Sequence, residues 1–162
     1  MMKRLIFSLT ASLALTTAAH AQTAQPLAPA PSYGAPISLE AADGLIEHGV
    51  ELARARGFRM AFAIVEPNGE LVAFSRMDDT QYGSIRVAQR KAWTAARYRL
   101  ATAIMEERTL AGRTVTLAND DSLPIAGGVP IVVDGQIIGA LGVSGAAAAE
   151  DAQIANATLE PY

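Results

Sequence analysis

A small set of residues in this 162-residue chain has the types and settings that could do chemistry: His48, Lys91, Arg76 with Asp78, and the glycines and serine of Gly127-Gly128 and Ser144-Gly145. Of two histidines His20 falls in the stretch read below as a cleavable leader, and there is no cysteine, so His48 would stand alone, which excludes multi-histidine and thiolate metal sites and leaves only carboxylate-rich ones, which the scattered acids do not suggest. A Ser-His-Asp nucleophile would need His48 as its base, and nothing nearby resembles a nucleophile elbow. Neutral imidazole is also a common iron ligand, and against that stands an ordinary boundary-helix histidine with its ring tip in water. Lys91 is the one lysine beyond the first four residues, among ten arginines there. An ammonium so placed suits a carboxylate ligand, or else it snorkels from an amphipathic helix. Arg76 and Asp78 read either as the polar rim of the same pocket or as a strand-end ion pair worth less than about 1 kcal/mol. Gly127-Gly128 and Ser144-Gly145 offer bare backbone N–H groups, the second just before a helix start, where an anion would be welcome. Turn dihedrals and close packing explain the same glycines equally well. A G-x-x-x-x-G-K phosphate loop is absent.

The compartment is written in the first residues. Met1 to Arg4 is a basic start, Leu5 to Ala18 an apolar and small-residue run, and Ala19-His20-Ala21 an A-x-A cleavage signal, the pattern of a secretory leader. The apolar run is too short for a membrane span. Cleavage after Ala21 would leave 141 residues and remove Lys3, Arg4 and His20, so that 11 basic residues face 16 acidic ones for a net charge of −5. Nucleic acid demands clustered positive charge, which this balance does not offer, so it is not expected as a partner. Without disulfides, an exported domain of this size must rely on its core or on self-association.

Periodicity supplies the elements that must position these residues. Gln22 to Pro36 is rich in Ala, Pro and Gln and reads as a flexible tether, with the folded domain beginning near Ser38. Ser38 caps a helix over Leu39 to Arg56 that carries His48. Met60 to Val65 and Leu71 to Arg76 form a hairpin around Pro67-Asn68-Gly69. Ser84 caps a helix over Ile85 to Arg99 with Val87, Lys91, Thr94, Ala95 and Tyr98 near one face, and Thr102 caps a shorter one through Leu110. Thr114 to Leu117 reads as a short strand in the least patterned stretch of the chain. Val129 to Val133 and Gln136 to Val143 form a second hairpin whose Asp134-Gly135 turn wants φ > 0 twice, and whose Gly139 and Gly142 invite close backbone approach. A helix over Ala146 to Leu159 ends the order α-ββ-α-α-ββ-α, an antiparallel sheet of two hairpins with helices on its faces, an α+β fold in α/β/α layers.

The strings AIVEPNGELVAFSRMDD, GSIRVAQRKAWTA and GGVPIVVDGQIIGALGVSG, with Asp151 following, resemble the GlcG/HbpS family of haem-binding proteins from about Leu39 to Leu159. That resemblance implies a profilin-like subunit, a homo-oligomer and commonly an octamer, and kinship to the carboxy-terminal part of PduO-type corrinoid adenosyltransferases. It implies haem as ligand, with Lys91 against a propionate; by residue chemistry His48 is the axial candidate, and otherwise a tyrosine, a methionine or a threonine oxygen would serve, with Tyr82, Tyr98 and Met77 the candidates. The expected function is an exported haem-binding protein, periplasmic or secreted, in haem handling or oxidative-stress protection, rather than a catalyst. An enzyme or accessory protein acting on a small carboxylate in the same cationic pocket, and a scaffold without small-molecule chemistry, are the alternatives. Glu66-Pro67-Asn68 replaces the family's aspartate-centred turn, Asp79-Thr80 replaces a Gly-Ala pair, and the E-x-x-E iron motif of a secreted member is missing.

Overall fold

The computed structural model describes residues 29–161, so the leader over residues 1–21 and the first part of the tether lie outside the described residues. The elements run β1 (Ser32–Tyr33), α1 (Leu39–Ala55), β2 (Ala61–Val65), β3 (Leu71–Arg76), α2 (Gly83–Tyr98), α3 (Thr102–Leu110), a 3₁₀ helix (Thr114–Ala118), β4 (Gly128–Val133), β5 (Gln136–Ser144) and α4 (Ala148–Leu159). β5 is the spine of the sheet. β4 folds back antiparallel along one edge, through a turn whose Asp134 and Gly135 both have positive φ, 50° and 74°. β2 pairs antiparallel with the last five residues of β5, Ala61 opposite Ser144 and Val65 opposite Ala140, and β3 continues outward from β2.

Alternation along β2 separates two cores. Ala61, Ala63 and Val65 face α2 and pack on Ala88, Ala92, Ala95 and Ala96, an interface made almost wholly of methyl groups. Phe62 and Ile64 point to the other face and join Leu45, Ile46, Ala53, Leu141, Val143, Ile154 and Ala155 beneath α1 and α4. The small-residue face lets α2 settle onto the sheet backbone. At Gly142 a Cβ would collide with the Ala88 carbonyl oxygen, so only glycine permits that approach.

Four details depart from the expectations above. Part of the tether is docked: Ser32 and Tyr33 pair in parallel with Gln136 and Ile137, Tyr33 Oη donates to the Ala96 and Arg97 carbonyls at 3.2 and 3.0 Å, and Ile37 is buried. An Ala/Pro-rich composition concealed two anchoring side chains. Thr114 to Leu117 is not a strand, because no sheet edge reaches it; Thr116 instead bonds back to the Arg113 carbonyl and to the Thr109 hydroxyl, winding a 3₁₀ turn. Ser84 lies inside the first turn of α2, its hydroxyl turned to Ser144 Oγ at 3.1 Å rather than capping. Thr102 likewise begins α3 with its hydroxyl accepting the Gly128 N–H at 2.8 Å. In both cases a buried hydroxyl serves a distant strand instead of its own helix.

Candidate functional site

Lys91, Gly127, Gly128, Ser144 and Gly145 converge, and Asp151 closes the group from within. Lys91 projects from the buried face of α2, only 1 % exposed, and passes the end of the sheet. Its Nζ donates to Asp151 Oδ2 at 2.6 Å and to the Val143 carbonyl at 3.1 Å. Asp151, in the first turn of α4, accepts the Gly145 and Ala146 N–H groups on Oδ1 at 3.0 and 2.9 Å. The anion expected at the Ser144-Gly145 turn is thus supplied by the chain itself. Gly127 has φ 121°, and a Cβ there would lie 2.9 Å from both Lys91 Nζ and the Asp151 Cβ, while one at Gly128 would strike the Lys91 carbonyl and one at Gly145 the Arg59 carbonyl. These glycines make room for a buried ion pair that ties α2 to α4. Burial pushes the Asp151 carboxyl up, against the lowering pull of Lys91 and of the two amides. Lys91 therefore has no exposed ammonium to offer a ligand in this subunit, and it does not share a pocket with Arg76 and Asp78 as the sequence had suggested.

Arg76 and Asp78 lie instead at the open end of β3, around a cleft of about 530 Å³ with Val50, Arg54, Arg59 and Asp79. They form no ion pair; among the described residues the single one joins Lys91 to Asp151. The Arg76 guanidinium lies 5.3 Å from the centre of the Tyr82 ring, which is exposed. Met77 is nearly buried beside them, its sulfur accepting the Met60 N–H at 3.4 Å. His48 is half-buried on α1, on the opposite face of the sheet from α2.

A second cleft, of about 430 Å³, opens where α2 ends and the chain turns through α3 and the 3₁₀ helix. Tyr98, Leu100, Met105 and Val115 give it apolar walls, and Arg108 and Arg113 stand at it without carboxylate partners. Tyr98 Oη accepts a 2.6 Å hydrogen bond from Asn119 Nδ2. Val115 is exposed at its wall, and Leu110 and Leu117, in the same segment of the chain, are exposed as well. Tyr98, grouped by periodicity with Lys91, Thr94 and Ala95 near one face of its helix, stands at the rim of this cleft while those three are buried.

A family model described as haem degrading protein HbpS-like matches residues 37–160. The chain belongs to the HbpS-like family. Protein GlcG of Escherichia coli K12 is 42 % identical over 108 residues, which is 67 % of this chain and 81 % of GlcG. The HbpS double mutant of Streptomyces reticuli superposes with a TM-score of 0.72 at 30 % identity, over 85 % of this chain and 96 % of HbpS. A crystal structure of a PduOC:heme complex does so at 0.71 and 26 %, over 78 % of this chain and 95 % of PduOC. The mixed α+β architecture is thus that of the HbpS-like relatives.

Asp151, Arg108, Arg113 and Met105 were not singled out from the sequence. The solitary lysine stood out by type, but nothing in the sequence joined it to Asp151, 60 residues away. Nothing in the spacing of Arg108 and Arg113 marks them as a pair.

Proposed function

We propose that this chain is an exported haem-binding protein, periplasmic or secreted after cleavage at Ala21, that works as a homo-oligomer of up to eight subunits in haem handling or protection from oxidative stress. Membership of the HbpS-like family and its likeness to a haem complex support the ligand class. The observation that carries the reading is the amphiphilic cleft at the end of α2: haem is an apolar plate with two carboxylates on one edge, and this cleft pairs apolar walls with two unpartnered arginines. When bound, haem supplies an iron centre for redox or oxygen chemistry, while the chain's own residues bind and orient the plate.

Haemin titration of residues 22–162, followed by its Soret absorbance, tests this reading. A saturable shift is expected, and its absence would refute haem binding. Light scattering should give a multiple of the subunit mass, a monomer refuting the assembly, and the protein recovered from outside the cytoplasm should begin at Gln22. The three arginines at the open end of β3 favour a second reading, a small carboxylate as ligand. Thermal stabilisation by citrate with no haemin response would support that reading in place of the first.

A further inference from the structure

Haem binding leaves the iron ligand to be assigned, and the fold separates the obvious candidate from the cleft that suits the plate. His48 is on α1, against the face of the sheet that carries Phe62 and Ile64, whereas Tyr98 ends α2 on the face that carries Ala61 and Ala63. Within one subunit the sheet stands between them. Met77 is no better placed, since it is nearly buried beside the arginine cleft and its sulfur is engaged by the Met60 N–H.

Tyr98 differs from both. Its ring is partly exposed at the cleft, and its oxygen accepts the Asn119 amide N–H at 2.6 Å, which fixes the direction in which that oxygen faces. No described residue takes the phenol's own proton, so that side of the oxygen is available. A hydroxyl pair, Thr109 with Thr116 at 2.8 Å, ties α3 to the 3₁₀ helix and holds the far wall in place. Met105 is nearly buried and fixes the floor.

Resting on the haem reading above, we propose that ferric haem sits in this cleft with Tyr98 as its iron ligand and with Arg108 and Arg113 on its propionates. Binding transfers the phenol proton to solvent, and the resulting phenolate donates an electron pair to ferric iron in place of the water that haemin carries. The iron stays ferric. Anionic phenolate is a known haem ligand type, and it favours the oxidised metal. The exposed Val115 gives a plate wider than the cleft an apolar edge to lie against.

The test compares wild type, Tyr98→Phe, His48→Ala and Arg108→Gln/Arg113→Gln, each titrated with haemin and with metal-free protoporphyrin IX. Wild type should show tyrosinate modes in the resonance Raman spectrum of its ferric complex. Tyr98→Phe should lose those modes and bind haemin roughly tenfold more weakly, while its affinity for protoporphyrin IX stays within about twofold. The double arginine variant should weaken both ligands by roughly tenfold or more, since each lost contact is a charge-assisted hydrogen bond. His48→Ala should match wild type. An unchanged spectrum in Tyr98→Phe, or loss of the haemin complex in His48→Ala, would overturn the ligand assignment and leave haem binding intact. No saturable response from wild type would instead refute haem binding itself, and this assignment with it.

Discussion

Replacing Lys91 by methionine should damage the fold far more than any binding surface. The side chain is 1 % exposed and its Nζ has two acceptors, Asp151 Oδ2 and the Val143 carbonyl, so the substitution leaves a buried carboxylate without its counter-ion. Breaking one half of such a pair costs about 3–5 kcal/mol, a large share of the 5–15 kcal/mol that holds a domain together. Urea denaturation followed by far-UV circular dichroism reads this as a lower midpoint at unchanged slope. The pH dependence is a second readout. Burial already raises the Asp151 carboxyl above its ordinary 3.8, and removing Lys91 takes away its main lowering partner. A raised folded pKa contributes stability that is present below the unfolded pKa and is lost as pH rises through the folded one. The Lys91→Met deficit should therefore shrink on acidification toward 3.8. Lys91→Met combined with Asp151→Asn should recover most of the loss at neutral pH, because the amide oxygen can still accept the Gly145 and Ala146 N–H groups. A loss below about 1 kcal/mol, or one that grows in acid, would refute the buried-pair account. So would intact stability with lost haemin binding, which would return Lys91 to the ligand site.

Three further perturbations test the packing. Gly142→Ala drives a methyl into the Ala88 carbonyl and should cost about 3 kcal/mol or prevent soluble expression, while a midpoint within about 0.5 kcal/mol of wild type would contradict the close approach of α2. Asp79 has φ 62°, in the region where glycine is at ease, so Asp79→Gly should raise stability by about 0.5–1 kcal/mol in thermal melts, and a lower melting temperature would argue against that strain. Starting the chain at Ser38 removes the β1 pairing, the Tyr33 hydrogen bonds and the buried Ile37, and should cost about 2–3 kcal/mol; an unaltered midpoint would mean that this segment is a tether after all.

The parts of the fold that were legible in the sequence are those whose causes are local. Asp134-Gly135 announces its own turn because two consecutive positive φ values demand those residue types. The β2 run announces a buried strand, and its alternation of Ala61 and Ala63 with Phe62 and Ile64 already contains the two unequal faces. Periodicity tells which side of an element is buried, but not what meets it there. Lys91 and Asp151 are 60 residues apart, so the type of each was visible and their pairing was not. The helix-end donors at Gly145 were read either as a ligand-anion site or as packing glycines, and only three-dimensional packing could disclose that their acceptor is the chain's own Asp151. The stretch from Arg113 to Ala126 had the weakest pattern because a 3₁₀ turn and the loop after it impose little repeat on their side chains. A binding loop on a rigid frame is free of that repeat for the same reason, since its residues are set by what they contact rather than by burial. Residues that looked chemical by type, Lys91 and the glycines, were recruited by the frame, and the cleft proposed for haem takes one wall from two legible helices and the other from the segment whose pattern said least.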